Sequence, residues 1–220
     1  RLGARIMLEV MAESAQNENL DIVWCNFKEI YKDSAEEEKI ELYKDNEENI
    51  KGVLTSRIPG FLWNKLIKKS FWDRCRIHTD KEAVMCEDTY ISIQLLANNP
   101  KMGFVPKPFY NYVKYDERAA TSTKELPILV LAEKNIANIY EFLKRKDLFE
   151  TYKDEFTRLA LRLKIEMLPY KLDRAFNIFP FAHKSFKNFM FPFKTSLFYY
   201  IAFNSGFIGK ILFKVKTKIL

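Results

Sequence analysis

The sequence has few residues of the kinds that build disulfide or metal sites. It contains three cysteines, Cys25, Cys75 and Cys86, an odd number without a Cys-x-x-Cys spacing. This pattern argues against a disulfide framework and a thiolate zinc site, and it favours a reducing compartment with thiols buried as small apolar groups. The only histidines, His78 and His183, lie far apart in the sequence without a ligand-like spacing, so we expect structural or exposed roles rather than a shared metal.

Two kinds of segment are also missing. With six glycines in 220 residues, no glycine-rich phosphate loop is present. No charge-free apolar run reaches about 20 residues, so the sequence does not predict a transmembrane helix. The chain begins with Arg1 and shows no secretory segment, and we expect it to be a fragment or a processed product.

The positive charge of the chain is confined to its C-terminal part. The formal net charge is +7, from 36 basic and 29 acidic residues. Residues 176–220 hold seven lysines and no Arg, Asp or Glu, which leaves 36 − 7 = 29 basic residues against 29 acidic ones before them. Because the excess is local, nucleic-acid binding by the whole chain is a weak interpretation.

The hydrophobic pattern predicts an α/β fold. Residues 4–16 have the spacing of an amphipathic helix, and residues 21–27 have the β-branched and aromatic character of a buried strand. This alternation is typical of a doubly wound sheet. The acidic residues 32–50 predict a solvated loop or short hairpin, and Ser70 is a candidate cap for a helix beginning at Phe71.

A second group of elements follows. Glu87 and Asp88 open a helix that ends before Pro100, and residues 102–105 and 109–113 predict two strands separated by Pro106 and Pro108. Two longer helices are expected over residues 126–143 and 148–168. On local sequence alone, Glu87 and Asp88 could serve only to cap the helix or to interact with its dipole.

Five segments, in order, resemble glycosyltransferase family 2 enzymes of the GT-A type: Asp21-Ile22-Val23-Trp24-Cys25-Asn26-Phe27, Trp63-Asn64-Lys65-Leu66, Glu87-Asp88, Tyr110-Asn111-Tyr112 and Thr121-Ser122-Thr123. No single segment is specific, but five weak signals in the right order are jointly much stronger. The resemblance implies a GT-A (Rossmann-like) fold of which residues 1–125 are the C-terminal half. A helical extension over 126–175 and a basic aromatic tail over 176–220 follow.

The resemblance also implies an activity. It predicts inverting transfer of a sugar from a nucleotide-sugar donor to a hydroxyl of a glycan or lipid-linked glycan, in bacterial polysaccharide assembly. Asp88 takes the position of the catalytic base, which removes the proton of the attacking hydroxyl, and Glu87 that of a supporting carboxylate. The implied location is cytoplasmic, at the inner face of the membrane.

Four further residues match the segments that bind substrate in this family. Trp63 is expected to stack on a sugar, Lys65 to approach a diphosphate, and Asn64 and Tyr112 to line the cleft. The alternative is a buried Trp63 that anchors a strand, with Lys65 on the surface. Tyr110 and Tyr112 share one face of their strand, which is also the pattern of ordinary sheet packing.

The sequence departs from the family in lacking an Asp-x-Asp motif. That motif holds a divalent ion, Mn²⁺ or Mg²⁺, on the sugar diphosphate, so we expect the ligands of this ion to lie outside this chain and the chain alone to be an incomplete catalytic unit. A non-catalytic, membrane-peripheral scaffold that kept the fold is the alternative. The Gln-x-x-Arg-Trp element of processive synthases is also absent, which favours transfer of single sugars.

The C-terminal segment combines aromatic rings with lysines. Residues 176–220 contain 11 of the 19 phenylalanines beside the seven lysines. Such a composition suits an element at the surface of an anionic membrane, a helical cap with outward-pointing lysines, or a site for single-stranded nucleic acid. Nucleic acid is the weakest of the three because the rest of the chain is neutral.

Overall fold

The protein is a mixed α/β chain with two compact units. The computed structural model describes residues 2–79, 85–115, 126–206 and 208–211. The first unit comprises Arg1–Lys81 and Cys86–Thr123, and the second comprises Glu82–Met85 and Lys124–Leu220. The predicted Thr121-Ser122-Thr123 turn lies outside the described residues.

The first unit contains four strands and four helices among the described residues. In chain order they are α1 (Leu2–Asn17), β1 (Ile22–Ile30), β2 (Ala35–Glu38), α2 (Asn46–Leu54), β3 (Lys65–Ile67), α3 (Lys69–Cys75), α4 (Glu87–Leu96) and β4 (Met102–Val113). The predictions of α1, of β1 and of a helix opening at Glu87 are confirmed.

Strand β1 lies at the centre of a mixed sheet. It pairs in parallel with β4 along its whole length, from Ile22–Met102 to Ile30–Val113. Its other edge pairs antiparallel with β3 over residues 22–24 and with β2 over residues 27–30. Side chains alternate between the faces of a strand. Val23 and Cys25 pack with Met11 of α1, and Trp24 between them is also fully buried, so both faces of β1 are covered.

The predicted pair of strands at residues 102–113 is wrong, because β4 is one strand with an irregularity at its centre. Cys25 pairs with Val105, but the next residue, Asn26, pairs with Pro108. Proline has no N–H to donate to a sheet ladder, so Pro106 and Pro108 are tolerated at a bulge. The bulge absorbs the extra residues, and pairing resumes from Phe27 onward.

Two other local predictions need correction. The acidic region 32–50 does contain a hairpin strand, β2, but it also contains the first half of helix α2. Asp45 caps α2 by accepting a hydrogen bond from the N–H of Glu47, and Ile50, Val53 and Leu54 are buried. These apolar residues, spaced three and four apart, outweigh the acidic composition.

Helix α3 begins at Lys69, one residue before the predicted cap Ser70. Lys68 is its N-cap residue and makes no side-chain cap hydrogen bond. Ser70 therefore lies within the first turn of the helix rather than capping it.

The second unit is helical in its described part. It contains α5 (Leu126–Arg145), α6 (Lys153–Met167), α7 (Leu172–Asn177), two short 3₁₀ turns (Pro180–His183 and Phe186–Asn188) and α8 (Phe193–Asn204). Helix α6 begins at Lys153 rather than at the predicted residue 148, since residues 146–152 form turns. In the part of the chain that the structure describes, every helix is too short or too polar to cross a membrane.

A carboxylate beside an aromatic cluster as the candidate functional site

The N-terminus of α4 carries the two carboxylates singled out in the sequence. Cys86 precedes the helix in a left-handed conformation, with φ of 62°, and its side chain makes no cap hydrogen bond. Glu87 and Asp88 then occupy the first turn, where exposed helix N–H groups favour negative charge. Both carboxylates lie in the half-buried layer of the protein rather than in open solvent.

Burial controls the protonation of both acids. Desolvation raises the pKa of Asp88 above its usual value, while a hydrogen bond from the backbone N–H of Leu62 and the positive charge of Lys65 act in the opposite direction. Desolvation likewise raises the pKa of Glu87, and the neighbouring negative charge of Asp88 raises it further. A carboxylate with a raised pKa is a stronger base once ionised, and this is the direction that proton abstraction requires.

The loop over residues 58–64 packs tightly on the first turns of α4. The hydroxyl of Ser92 donates a hydrogen bond of 2.7 Å to the carbonyl of Gly60. A side chain at Gly60 would bring a Cβ within 2.9 Å of the Cα of Thr89, so only glycine fits this approach without movement. Together with the Leu62 bond to Asp88, these contacts fix the loop against the carboxylate.

Lys65 has a buried amine and does not lie on the surface. Its amine donates to the carbonyl of Phe61 and, at 3.1 Å, to the side-chain oxygen of Asn64, and it lies 3.7 Å from the ring centroid of Trp24. Burial lowers the pKa of Lys65 well below its usual value, while the negative charge of Asp88 favours the protonated form. The surface position that the alternative interpretation gave to Lys65 is wrong.

The side chain of Asn64 hydrogen-bonds both to Lys65 and to strand β1. It is fully buried, and its side-chain amide donates to the carbonyl of Cys25 at 3.3 Å while its side-chain oxygen accepts from Lys65. The backbone of Asn64 also accepts from the N–H of Cys25 at 3.0 Å. Asn64 therefore ties Lys65 to strand β1. Its predicted contact with substrate stays a prediction.

Five rings form a cluster on the same loop and on the neighbouring strands. We call this group the aromatic cluster: Phe27, Phe61, Trp63, Tyr110 and Tyr112. Trp63 lies at its centre, stacked on Tyr110 at 4.2 Å, on Phe61 at 4.8 Å and on Tyr112 at 5.6 Å between centroids, with the edge of Phe27 at 5.0 Å. All members except Phe27 are half-buried, so the cluster retains accessible ring surface.

Contacts in the structure thus link predicted residues of the first unit that are far apart in the sequence. Asp88 accepts a hydrogen bond from the backbone of Leu62, which lies between Phe61 and Trp63 in the sequence, and the ring of Trp63 stacks on that of Tyr112. Sequence reasoning missed Leu62, Gly60 and Ser92, whose roles depend on backbone groups and close packing. The Pro59-Gly60 pair indicates a turn, but it does not indicate that this turn packs on helix α4.

The described residues do not supply a metal site. Among them, no group of three or more His, Cys, Asp or Glu side chains is arranged to hold an ion, so the expected Mn²⁺ or Mg²⁺ has no ligand set in this part of the chain. His183 is buried and stacks on Phe203 at 5.1 Å, in keeping with a structural role. No family model matches the chain, and comparison with curated proteins also gave no match.

Proposed function

We propose that the first unit is part of a GT-A (Rossmann-like) glycosyltransferase and that Asp88 is the catalytic base of an inverting sugar transfer. The observation that carries the proposal is the position of Asp88, which is half-buried at the start of α4 and accepts a hydrogen bond from Leu62. Phe61 and Trp63, the sequence neighbours of Leu62, are half-buried members of the aromatic cluster. The parallel pairing of β1 with β4, with both faces of β1 buried, supports a layered α/β architecture.

In the proposed reaction, a hydroxyl of a glycan or lipid-linked glycan attacks the anomeric carbon of a nucleotide-sugar. The carboxylate of Asp88 accepts the hydroxyl proton as the new C–O bond forms, and the bond to the diphosphate breaks on the opposite side of the carbon. The nucleoside diphosphate leaves, and the configuration at the anomeric carbon inverts. Asp88 must be ionised to act, so the neighbouring charge of Lys65 assists by favouring the carboxylate form.

The aromatic cluster would contribute to acceptor or donor binding. An aromatic face packs against the apolar C–H face of a sugar ring. Trp63 follows Leu62 in the sequence and stacks on Tyr112, and both aromatic residues are half-buried. In this arrangement Lys65 and Asn64 position the loop and tune Asp88, and direct contact of either with a diphosphate is not needed. Divalent-metal chemistry is a prediction for the complete enzyme, and no step above depends on it.

One observation favours a second candidate, a non-catalytic scaffold that kept the fold. The side chains of Asn64 and Lys65 are committed to internal hydrogen bonds, and the ring of Trp63 contacts four other rings. In a scaffold, the same contacts would serve only to hold the loop against the sheet.

The experiment that separates the two candidates measures acceptor-dependent release of nucleoside diphosphate by the intact gene product. UDP-, GDP- and dTDP-sugars are supplied with Mn²⁺ or Mg²⁺ and with glycan or lipid-linked acceptors. Release that requires an acceptor supports the glycosyltransferase, and NMR of the product tests for inversion. Absence of both release and donor binding, in a protein that melts cooperatively, favours the scaffold.

A further inference from the structure

Helix α8 in the second unit is apolar on the side that packs into the protein and also on the side that does not. Its twelve residues, Phe193–Asn204, contain one lysine and no acid. Ser196, Ala202 and Phe203 are buried, and Phe203 packs on Phe176 with centroids 5.0 Å apart. A surface helix of a globular protein normally turns a polar face outward. Helix α8 does not follow that rule.

The outward side of α8 is a row of large hydrophobic side chains. Phe193, Leu197 and Ile201 follow one another at intervals of four residues, which places them on one helix face. Their exposed fractions are 69%, 38% and 44%. We call this row the α8 face. Helix α6 in the same unit differs, because its exposed residues include the charged Lys153, Asp154 and Arg162.

The exposed apolar surface continues on both sides of α8. Met190 and Phe191, just before the helix, are exposed to 70% and 43%, and Ile208 and Ile211 are exposed after it. Large hydrophobic residues are normally scattered singly on a soluble surface, whereas a run of them marks a binding surface. The α8 face and its flanks therefore require an apolar environment on their outer side.

The charged residues of the sequence segment that contains α8 are all lysines. The exposed lysines Lys184 and Lys194 lie within this segment, where Asp and Glu do not occur between residues 176 and 220. Two other lysines are partly compensated from elsewhere in the second unit, since Lys187 pairs with Asp154 at 3.3 Å and Lys210 pairs with Asp173. An apolar surface accompanied by exposed lysines is complementary to an apolar layer with anionic headgroups.

We propose that the α8 face docks on the surface of an anionic lipid bilayer, with α8 lying parallel to the membrane plane. A helix of 12 residues is about 18 Å long, which is shorter than the roughly 30 Å hydrocarbon core, so α8 lies on the bilayer and does not cross it. Phe193, Leu197 and Ile201 enter the boundary between headgroups and acyl chains, and Lys184 and Lys194 contact the anionic headgroups. This proposal is independent of the activity proposed for the first unit.

The test is cosedimentation of the full chain with vesicles of phosphatidylcholine alone or with 30% phosphatidylglycerol. The test variant carries Phe193→Gln, Leu197→Gln and Ile201→Gln. The matched control carries Ile6→Gln and Leu8→Gln, which remove two exposed hydrophobic side chains from α1. We expect the wild type and the control to bind the anionic vesicles equally, within about twofold, and the test variant to bind them at least about tenfold more weakly.

A second variant tests the electrostatic part. Lys184→Gln with Lys194→Gln should weaken binding to the anionic vesicles by about fivefold per lysine, and binding should fall as salt is added. Hydrogen exchange on the wild type should show that vesicles protect amides of residues 190–204 and not those of α6. This measurement tests the proposal even where a variant fails to fold, which a thermal melt of each protein detects.

Three results would overturn the proposal. The first is wild-type binding that is absent or equal on both vesicle compositions. The second is a correctly folded test variant that binds like the wild type. The third is a dimer, seen by sedimentation velocity without lipid and lost in the test variant, because the α8 face would then be an interface with a second copy.

Discussion

The backbone N–H of Leu62 donates a hydrogen bond to the carboxylate of Asp88. Leu62 lies between Phe61 and Trp63, so this one bond joins the start of helix α4 to the aromatic cluster. Ser92, one turn further along α4, holds the same loop through the carbonyl of Gly60. The carboxylate and the rings are therefore positioned by the same short loop, and a change in the loop should affect both.

Replacement of Asp88 by asparagine should remove the proposed base while keeping its shape. The amide oxygen of the new side chain can still accept from Leu62, so we expect sugar transfer to fall by about 10²–10⁴-fold with little change in thermal stability. The assay is acceptor-dependent release of nucleoside diphosphate. Glu87→Gln is the matched control, since it neutralises the adjacent carboxylate, and its effect should stay below about tenfold. Equal activity of wild type and Asp88→Asn would remove Asp88 from the mechanism.

The pH dependence of sugar transfer should change when Lys65 is replaced. The positive charge of Lys65 lowers the pKa of Asp88 against the larger effect of burial. In Lys65→Met that assistance is lost, so the pKa of Asp88 should rise further. Because the base acts only when ionised, the acidic limb of kcat/KM should move to higher pH.

A direct measurement of the same effect does not need activity. Titration of the Asp88 carboxyl carbon by ¹³C NMR should give a higher pKa in Lys65→Met than in the wild type. Lys69→Met is the control, because Lys69 is an exposed lysine that pairs with Asp73 on the surface of α3. An unchanged Asp88 titration in a folded Lys65→Met protein would show that the two charges do not interact.

The elements that sequence predicted best are those whose signal is local. Strand β1 begins with the β-branched and aromatic residues Ile22, Val23 and Trp24, and helix α4 is an apolar-rich segment between Glu87 and Pro100. Helix α2 was missed because its acidic residues dominate the composition, whereas its buried face rests on only a few apolar side chains. Composition and periodicity conflict there, and packing against α4 decides the outcome.

The surroundings of the candidate residues were not predictable from the sequence. The Trp-Asn-Lys segment was singled out there, but a lysine two residues after a tryptophan gave no sign that its amine would be buried against Trp24 and Asn64. Trp24 is distant in sequence and lies on another strand. Burial of a charge depends on such long-range contacts, so neither sequence spacing nor propensity could reveal it.

Asn64→Ala should destabilise the protein without removing any proposed reacting group. The substitution leaves the carbonyl of Cys25 without its side-chain donor and takes one acceptor from the buried amine of Lys65. Loss of a buried hydrogen-bond partner costs about 1–3 kcal/mol, so the free energy of unfolding in urea should fall by that amount. The control is Asn111→Ala, at an exposed position of β4, where a change below about 0.5 kcal/mol is expected. Equal effects at both positions would contradict the structural role of Asn64.

Gly60→Ala should disturb the loop over residues 58–64 more than loss of the hydrogen bond from Ser92 to Gly60 does. The added Cβ would meet the backbone of Thr89 at 2.9 Å, which cannot be relieved by rotating a side chain. We expect a loss of about 1–3 kcal/mol in stability together with reduced transfer, since the loop also carries the Leu62 bond to Asp88. Ser92→Ala removes only the bond to the Gly60 carbonyl and should cost about 1 kcal/mol. A Gly60→Ala protein as stable as the wild type would show that the loop is free to move away from α4.

Lys164 in the second unit should make stability rise with pH. Its amine is fully buried and donates to the carbonyls of Phe176, at 3.3 Å, and of Ile178, and burial lowers its pKa from 10.5 to about 8. Between these two values the unfolded chain binds a proton that the folded chain lacks, so the free energy of unfolding should increase with pH across that interval and level off below about pH 8. The difference of 10.5 − 8 = 2.5 pKa units corresponds to a rise on the order of 3 kcal/mol.

In Lys164→Met that rise should vanish relative to the wild type, whereas Lys171→Met, at an exposed lysine, should keep it. Urea unfolding at pH 7 to 10.5 measures the three profiles. A Lys164→Met profile parallel to that of the wild type would contradict the lowered pKa, because any pH-independent loss of the two hydrogen bonds shifts the curve without changing its slope.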